Sequence, residues 1–205
     1  GTQSIERAVM ILRIIAGGAN SGGLRLADIV SESGLDTSTA HRMLKSLSAA
    51  GLVERADAGW NYRLGHLVYE LGLAALPRND LQAICEDSLI RIAEESGDVA
   101  LLAIRSGVDS VCMGRREGSF PILSLSVNVG TRRPLGIGAG GLAILASLPP
   151  ELAKQIVETN SLRLKQFNTL TAPALMRMVQ DTRDAGYALN RGEVYPEVGG
   201  IGVAI

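Results

Sequence analysis

Residues Leu26 to Leu44 constrain this chain more than any other stretch, because they set two short helical runs on either side of one glycine. The first run, Leu24 to Ser33, stops at Gly34, which can take the left-handed backbone that turns one helix into the next without a Cβ penalty. The second run, Thr37 to Ala50, is ended by Gly51, and Asp36 and Thr37 are alternative caps for its start. Ala40 is small enough to let the two helices approach, and Met43, Leu44 and Leu47 would face inward. This is the layout of a helix-turn-helix.

The flanking sequence fits around it. Ile5, Ala8, Val9, Leu12 and Ile15 recur at helical spacing behind the candidate cap Ser4, and Gly17 with Gly18 stops that run. After the second helix of the pair, Leu52 to Arg55 and Trp60 to Leu64 flank a turn of small residues, the pattern of a hairpin and hence of a wing. Gly65 to Leu76 reads as a connecting helix with Leu67, Val68, Leu71 and Ala74 or Ala75 on one face. Pro77 to Asp80 then breaks the pattern.

Beyond the breaker the chain mixes helix and strand. A helix is expected over Leu81 to Ser96, with Ile84, Leu89, Ile92 and Ala93 on its apolar face. Val99 to Ile104, Ser110 to Met113 and Phe120 to Val127 read as antiparallel strands. Gly140 to Leu148, Pro150 to Glu158 and Ala172 to Ala185 read as helices, and Tyr187 to Asn190 and Ile201 to Ile205 as strands. The fold class is therefore α+β, with a winged helix-turn-helix over 1–64, a linker helix over 65–76 and a second domain over 77–205. The apolar run ending at Ile205 reads as a domain cut short, since a buried strand seldom closes without a turn residue.

Composition narrows the function classes. With 46% hydrophobic residues and a net charge of −1, the chain can bury enough apolar surface to order itself, and a coat of basic surface is excluded. A local basic site is not excluded: between Thr37 and Arg55, Arg42, Lys45 and Arg55 face only Glu54, a balance of +2. Thr37, Ser38, Thr39, His41, Arg42 and Lys45 lie near the start and outer face of the second helix of the pair. Hydroxyls and amides there suit phosphate, and Arg42 and His41 suit base edges in a major groove. Arg25 and the wing's Arg63 complete the candidate DNA contacts, with Arg55 also able to reach flanking phosphate. The plainer reading is a small bundle with a solvated polar face.

Cys85 and Cys112 form no CxxC or Cys/His cluster, so neither a disulfide framework nor a zinc site is indicated and a reducing cytoplasm is expected. The weakly polar run Gly136 to Leu148 is too short for a membrane span. Gly136, Gly138 and Gly141 have the spacing GxGxxG, but Pro134 stands where a dinucleotide site needs a buried strand, so no cofactor is expected. No GxSxG or HExxH occurs. The glycine-rich turn either opens a helix whose free amides receive a carboxylate, or allows close packing of helix on sheet.

The chain resembles the IclR-type bacterial transcriptional regulators. The resemblance rests on Ser4 to Ala8, the helix-turn-helix, Tyr62 to Gly65, Val129 to Leu135, Ala139 to Ala143, Gly186 to Ala188, Glu193 and Ile201 to Val203. It implies a C-terminal GAF-like or profilin-like effector domain, an antiparallel sheet flanked by helices, and a homodimer or homotetramer. It further implies double-stranded operator DNA and a small organic acid or aromatic catabolite as partners. Carried over by position, it points to an effector site of Ile122, Leu125, Arg133, Leu135, Ala139, Gly140, Asn190, Val198 and Gly200. Arg132 and Arg133 could neutralise an anionic effector or lie on solvated surface, and Glu193 could orient a loop beside it. The expectation is a ligand-responsive transcriptional regulator that is not an enzyme. The rivals are a small-metabolite enzyme with a helix-turn-helix-like bundle and a non-specific nucleoid-binding module.

Overall fold

A computed structural model describes residues 2–18, 22–56, 60–75, 81–120, 127–167, 170–196 and 198–205. The chain forms two compact units, Gly1–Asp80 and Leu81–Ile205. The expected breaker at 77–80 lies outside the described residues.

The first unit contains α1 (Thr2–Gly17), α2 (Leu26–Ser33), α3 (Thr37–Ala49), β1 (Val53–Arg55), β2 (Tyr62–Leu64) and α4 (His66–Ala74). One face of α1 supplies Ile11, Ile14 and Ile15 to a core shared with Ile29, Leu44, Leu47, Val53 and Tyr62. Burial of that kind, at roughly 25 cal/mol per Å² of apolar surface, sets the orientation of α3. Gly34 has φ 66° and its amide donates to the Val30 carbonyl, closing α2 as its position in the sequence suggests. Leu24, expected in the second helix, instead exchanges backbone hydrogen bonds with Tyr62 at 3.0 and 2.7 Å and adds a rung to the β1–β2 hairpin. Gly23 permits this, with φ 97° and a Cβ position only 2.6 Å from the Tyr62 carbonyl oxygen: a bare residue with positive φ brings Leu24 onto the hairpin, so the helix starts two residues later.

α4 departs from its expected single buried face. None of its side chains is fully buried, and Tyr69, Leu71 and Leu73 are at least half exposed. Its first turn is what meets the unit, through the Leu67 amide on the Gly51 carbonyl.

In the second unit α5 (Leu81–Ser96) packs on β3 (Ala100–Ser106) and β4 (Asp109–Arg116) through Leu89, Ala93, Ala100 and Leu102. Ile84 and Ile92, expected on that face, are 64% and 51% exposed. Gly114 offers no side chain beneath Leu89, whose Cδ1 would lie 3.1 Å from a Cβ there, so the helix seats on Leu89 and turns the other stripe outward. β4 pairs antiparallel with β3 and with β5 (Arg132–Pro134), a strand that two arginines and a proline hid from the sequence reading. The ladder between β3 and β4 slips at Leu102/Ala103. The strand expected over 120–127 falls largely outside the described residues.

Then follow α6 (Gly138–Ser147), α7 (Pro150–Leu164), α8 (Ala172–Ala185) and the antiparallel hairpin β6 (Ala188–Tyr195) and β7 (Val198–Gly202). The main core gathers Leu135, Leu142 and Leu145 with Ile156, Val157, Leu164, Leu175 and Val179. α7 runs past the expected end at Glu158 because Asn160 and Leu164 keep its buried stripe going. The last strand is shifted: its pairing spans Val198 to Gly202, and Ile201, Val203 and Ile205 are exposed rather than buried.

A polar strut crosses this unit. The Asp109 carboxylate receives Arg132 at 3.0 Å and Arg163 at 2.6 Å; Arg163 also donates to Asn160 Oδ1, and Asn160 Nδ2 to the Val108 carbonyl. Arg132 is thereby committed to Asp109 and Ser106 and is not a free cation for an effector.

Candidate nucleic-acid interface and effector site

α3 is built to show one face. Ala40, Leu44 and Leu47 are buried, which holds Thr37, His41 and Lys45, one turn apart, and Ser38 with Arg42 beside them, on the exposed side. Thr39 is half-buried. Among the described residues no carboxylate is ion-paired with Arg42, Lys45 or Arg25. An exposed helix face with two unpaired cations and hydroxyls at its start can lie in a major groove and touch both phosphate and base edges.

The helix start resolves the two candidate caps in favour of Asp36. Its Oδ1 accepts the Thr39 amide at 2.8 Å and the Ser38 hydroxyl at 2.7 Å. Those two donors, expected to serve phosphate, are thus already engaged. The Ser38 hydroxyl and the Thr39 amide hold the Asp36 carboxyl well below the usual carboxylate range. Since the folded state favours the charged form, the cap's contribution is full above the ordinary pKa of 3.8 and is lost as pH falls toward the lower folded value. Asp36→Ala should therefore melt below the native protein at neutral pH, with the gap closing in strong acid. A gap independent of pH would contradict this role.

In the wing, Arg63 is bonded to Glu54 at 2.7 Å, so the structure spends much of its charge inside the hairpin. Arg25 is exposed just before α2, where its amide donates to the Asp28 carboxylate at 3.0 Å.

The effector candidates do not all come together. Ala139, Gly140, Asn190 and Gly200 gather where the first turn of α6 meets the β6–β7 hairpin, whereas Val198 pairs with Tyr195 toward the hairpin's turn. A Cβ on Gly200 would sit 3.5 Å from Ala139 Cβ, and Asn190 pairs with Gly200 across the ladder. Asn190 is buried and its Oδ1 accepts the Gly192 amide. Arg133 lies on β5 opposite Ser110. Leu135 departs from the group, because its side chain is fully buried in the main core. Ile122 and Leu125 lie outside the described residues, as does the Glu193 side chain.

The glycine-rich turn serves close packing. A Cβ on Gly202 would lie 2.5 Å from the Ala139 carbonyl oxygen, one on Gly136 2.8 Å from Leu175, and one on Gly141 3.2 Å from the Ser110 hydroxyl. Ile137 provides no side-chain cap, so the first-turn amides of α6 must be satisfied from outside the helix. The dipole end and those amides suit a carboxylate.

Three residues on the sheet beneath this turn escaped the sequence reading: Ala103, Ser110 and Cys112. A Cβ on Gly140 would lie 3.8 Å from Ala103 Cβ, and Ser110 faces Gly141. Burial pushes the Cys112 thiol up, against the pull of the nearby Arg115 and Arg133 charges. Strand alternation over Ser110 to Cys112 was the available signal. Open hollows elsewhere do not include the effector candidates: one of about 410 Å³ lies beside Glu54, His66 and Tyr69, and one of about 160 Å³ beside Ala143, Arg183 and Tyr187. Among the described residues no group of acidic, His or Cys side chains could hold a metal ion, and no helix is long and apolar enough to cross a membrane.

Two family models match. Residues 4–57 match the IclR helix-turn-helix domain, and residues 73–205 match the C-terminal domain of the bacterial transcriptional regulator IclR. The HTH-type transcriptional repressor AllR of Klebsiella pneumoniae is 29% identical, over 100% of this chain and 79% of its own length. The Thermotoga maritima IclR structure is 27% identical with a TM-score of 0.61, covering 100% of this chain and 82% of that one. An IclR homologue from Microbacterium hydrocarbonoxydans, solved with 4-hydroxybenzoate, is 23% identical with a TM-score of 0.71, over 98% of this chain and 82% of that one.

Proposed function

Since the chain belongs to the IclR family of bacterial transcriptional regulators, we propose that α3 is its operator-reading helix and that the turn before α6 is its effector site. The family's regulators carry a helix-turn-helix DNA-binding domain and an effector-binding C-terminal domain, and this chain has both parts. The observation that carries the reading is the exposed row of Thr37, His41, Arg42 and Lys45 opposite the buried Ala40, Leu44 and Leu47. Such a face can enter a groove without disturbing the core.

The effector is a small organic acid or aromatic catabolite. This is supported by the uncapped first turn of α6, the small side chains around it and the Arg133 cation nearby. The 4-hydroxybenzoate in one related structure supports a carboxylate effector, and the repressor role of the AllR relatives supports repression as the response that it relieves or imposes. The protein acts as a homodimer or homotetramer, because a single winged helix covers too little DNA for high specificity and paired half-sites double the contacts. Effector binding favours one arrangement of the effector domains, and the linker segment 65–76, which contains α4, converts it into a changed spacing of paired recognition helices. Residues 1–64, 65–76 and 77–205 are the corresponding functional segments.

Arg42→Ala tests the first half. Operator affinity should fall by about 1–3 kcal/mol, with relaxed selectivity at one base pair if the guanidinium reads a base and an unchanged melting temperature. Unaltered affinity would remove α3 from this role. Gly140→Leu tests the second half. A Cβ there meets only Ala103 at contact distance, so the fold should hold while the longer side chain fills the site. Operator binding should persist without response to effector, and a normal response would argue against this site.

A further inference from the structure

Of the wing's two arginines, both within reach of flanking phosphate by sequence, Arg55 is held the more favourably for it. Arg55, the last residue of β1, is exposed, with its guanidinium 5.2 Å from the centre of the Trp60 ring and 5.4 Å from that of Tyr62. Its Nη2 also donates to the Tyr62 hydroxyl at 3.1 Å. Tyr62 belongs to the core of the unit, so the arginine is anchored from below by a fixed ring. Trp60, the chain's single tryptophan, is 77% exposed. Across the same hairpin Arg63 is engaged with Glu54, while Arg55 has no carboxylate partner among the described residues.

We propose that Arg55, braced by Trp60 and Tyr62, is the wing's DNA contact: it binds a backbone phosphate beside the segment read by α3, with the Trp60 indole against the neighbouring sugar. The inference rests on the DNA-binding reading of α3. Contacts with the ring faces and one bond to Tyr62 leave most of the five guanidinium N–H donors free along its edge. A long side chain normally loses rotamer freedom on docking; here part of that loss is taken in the folded protein, which favours the bound state. Arg63 lacks this advantage, because the Glu54 carboxylate bonded to its Nε offsets its charge and would repel a phosphate brought beside it. The sequence made the two arginines equivalent, and the hairpin makes them unequal.

Because Trp60 is the sole tryptophan, its emission reports on the wing of the whole, unmodified chain. Mixed-sequence duplex DNA carrying a fluorescent label is titrated at low salt, with anisotropy recording binding and indole emission recording the wing. Emission should change in parallel with anisotropy. Arg55→Ala should weaken binding about three- to tenfold and lower the slope of log K against log salt by about one, while Arg63→Ala should stay within about twofold. Arg55→Lys should keep part of the salt slope but lose affinity, since an ammonium lacks the planar fork. Saturated binding with unchanged Trp60 emission would overturn this proposal alone, whatever the variants do. A larger loss from Arg63→Ala than from Arg55→Ala would overturn it as well. Absence of any duplex binding by the native chain would instead overturn the reading of α3, and this proposal with it.

Discussion

Asp109→Ala is expected to destabilise the Leu81–Ile205 unit by about 2–3 kcal/mol, a fall in melting temperature on the order of 10 °C for a unit of this size. Removing one partner of a buried ion pair costs about 3–5 kcal/mol where the survivor is wholly buried. Here the Asp109 side chain is 10% exposed but Arg132 and Arg163 are 29% and 42% exposed, so water recovers part of the loss. The effect is also positional. Asp109 ties β5, through Arg132, to α7, through Arg163, and β5 runs directly into the turn that opens α6. Effector affinity should therefore weaken more than global stability alone explains, and Asp109→Asn should recover a fraction of both. Calorimetry checks the first statement; an Asp109→Ala protein melting with the native one would refute it.

Leu44→Ala is expected to cost the Gly1–Asp80 unit about 2–5 kcal/mol, the range for a buried leucine whose neighbours cannot fully close the cavity. Leu44 has no exposed surface and packs among Ile11, Ile15 and Ile29, the contacts that seat α3. Small domains hold only about 5–15 kcal/mol in total, so this single change should loosen or unfold the unit and abolish operator binding. It differs in kind from Arg42→Ala, which should remove affinity while leaving the melt unchanged. Chemical denaturation followed by Trp60 emission separates the two; equal midpoints for Leu44→Ala and native protein would show that α3 is not held as described.

Much of the first unit was legible because its signals are local. Gly34 marks a left-handed turn, Asp36 and Thr37 stand at a helix start, and Leu44 and Leu47 recur at helical spacing, so a short window suffices. The errors arose where a distant partner decides. Leu24 leaves the helix because Tyr62, far along the chain, claims its backbone, and Leu89 rather than Ile84 faces the sheet because Gly114 leaves room for it. β5 could not be seen in Arg132, Arg133 and Pro134, since its pairing depends on Asp109 and on the β4 backbone.

The sites divide in the same way. The outward face of α3 follows from periodicity, yet the sequence could not show that Asp36 engages Ser38 and Thr39, or that Glu54 engages Arg63. Around α6 the positions carried over from the family bring Ala139, Gly140, Asn190 and Gly200 together, while Leu135 turns into the core. Ser110 and Cys112 follow from the pairing of β4 on both sides, because only the ladder tells which of its faces lies under the helix.

The central claim is that the exposed face of α3 reads an operator. Its most direct test is the affinity of a His41→Ala, Arg42→Ala, Lys45→Ala triple variant for an operator selected from random-sequence DNA, at fixed salt and beside an unrelated duplex. The account predicts that the variant melts like the native protein and loses the distinction between operator and unrelated duplex, a fall of about 10³-fold or more. A variant that still prefers the operator by the native margin would contradict it.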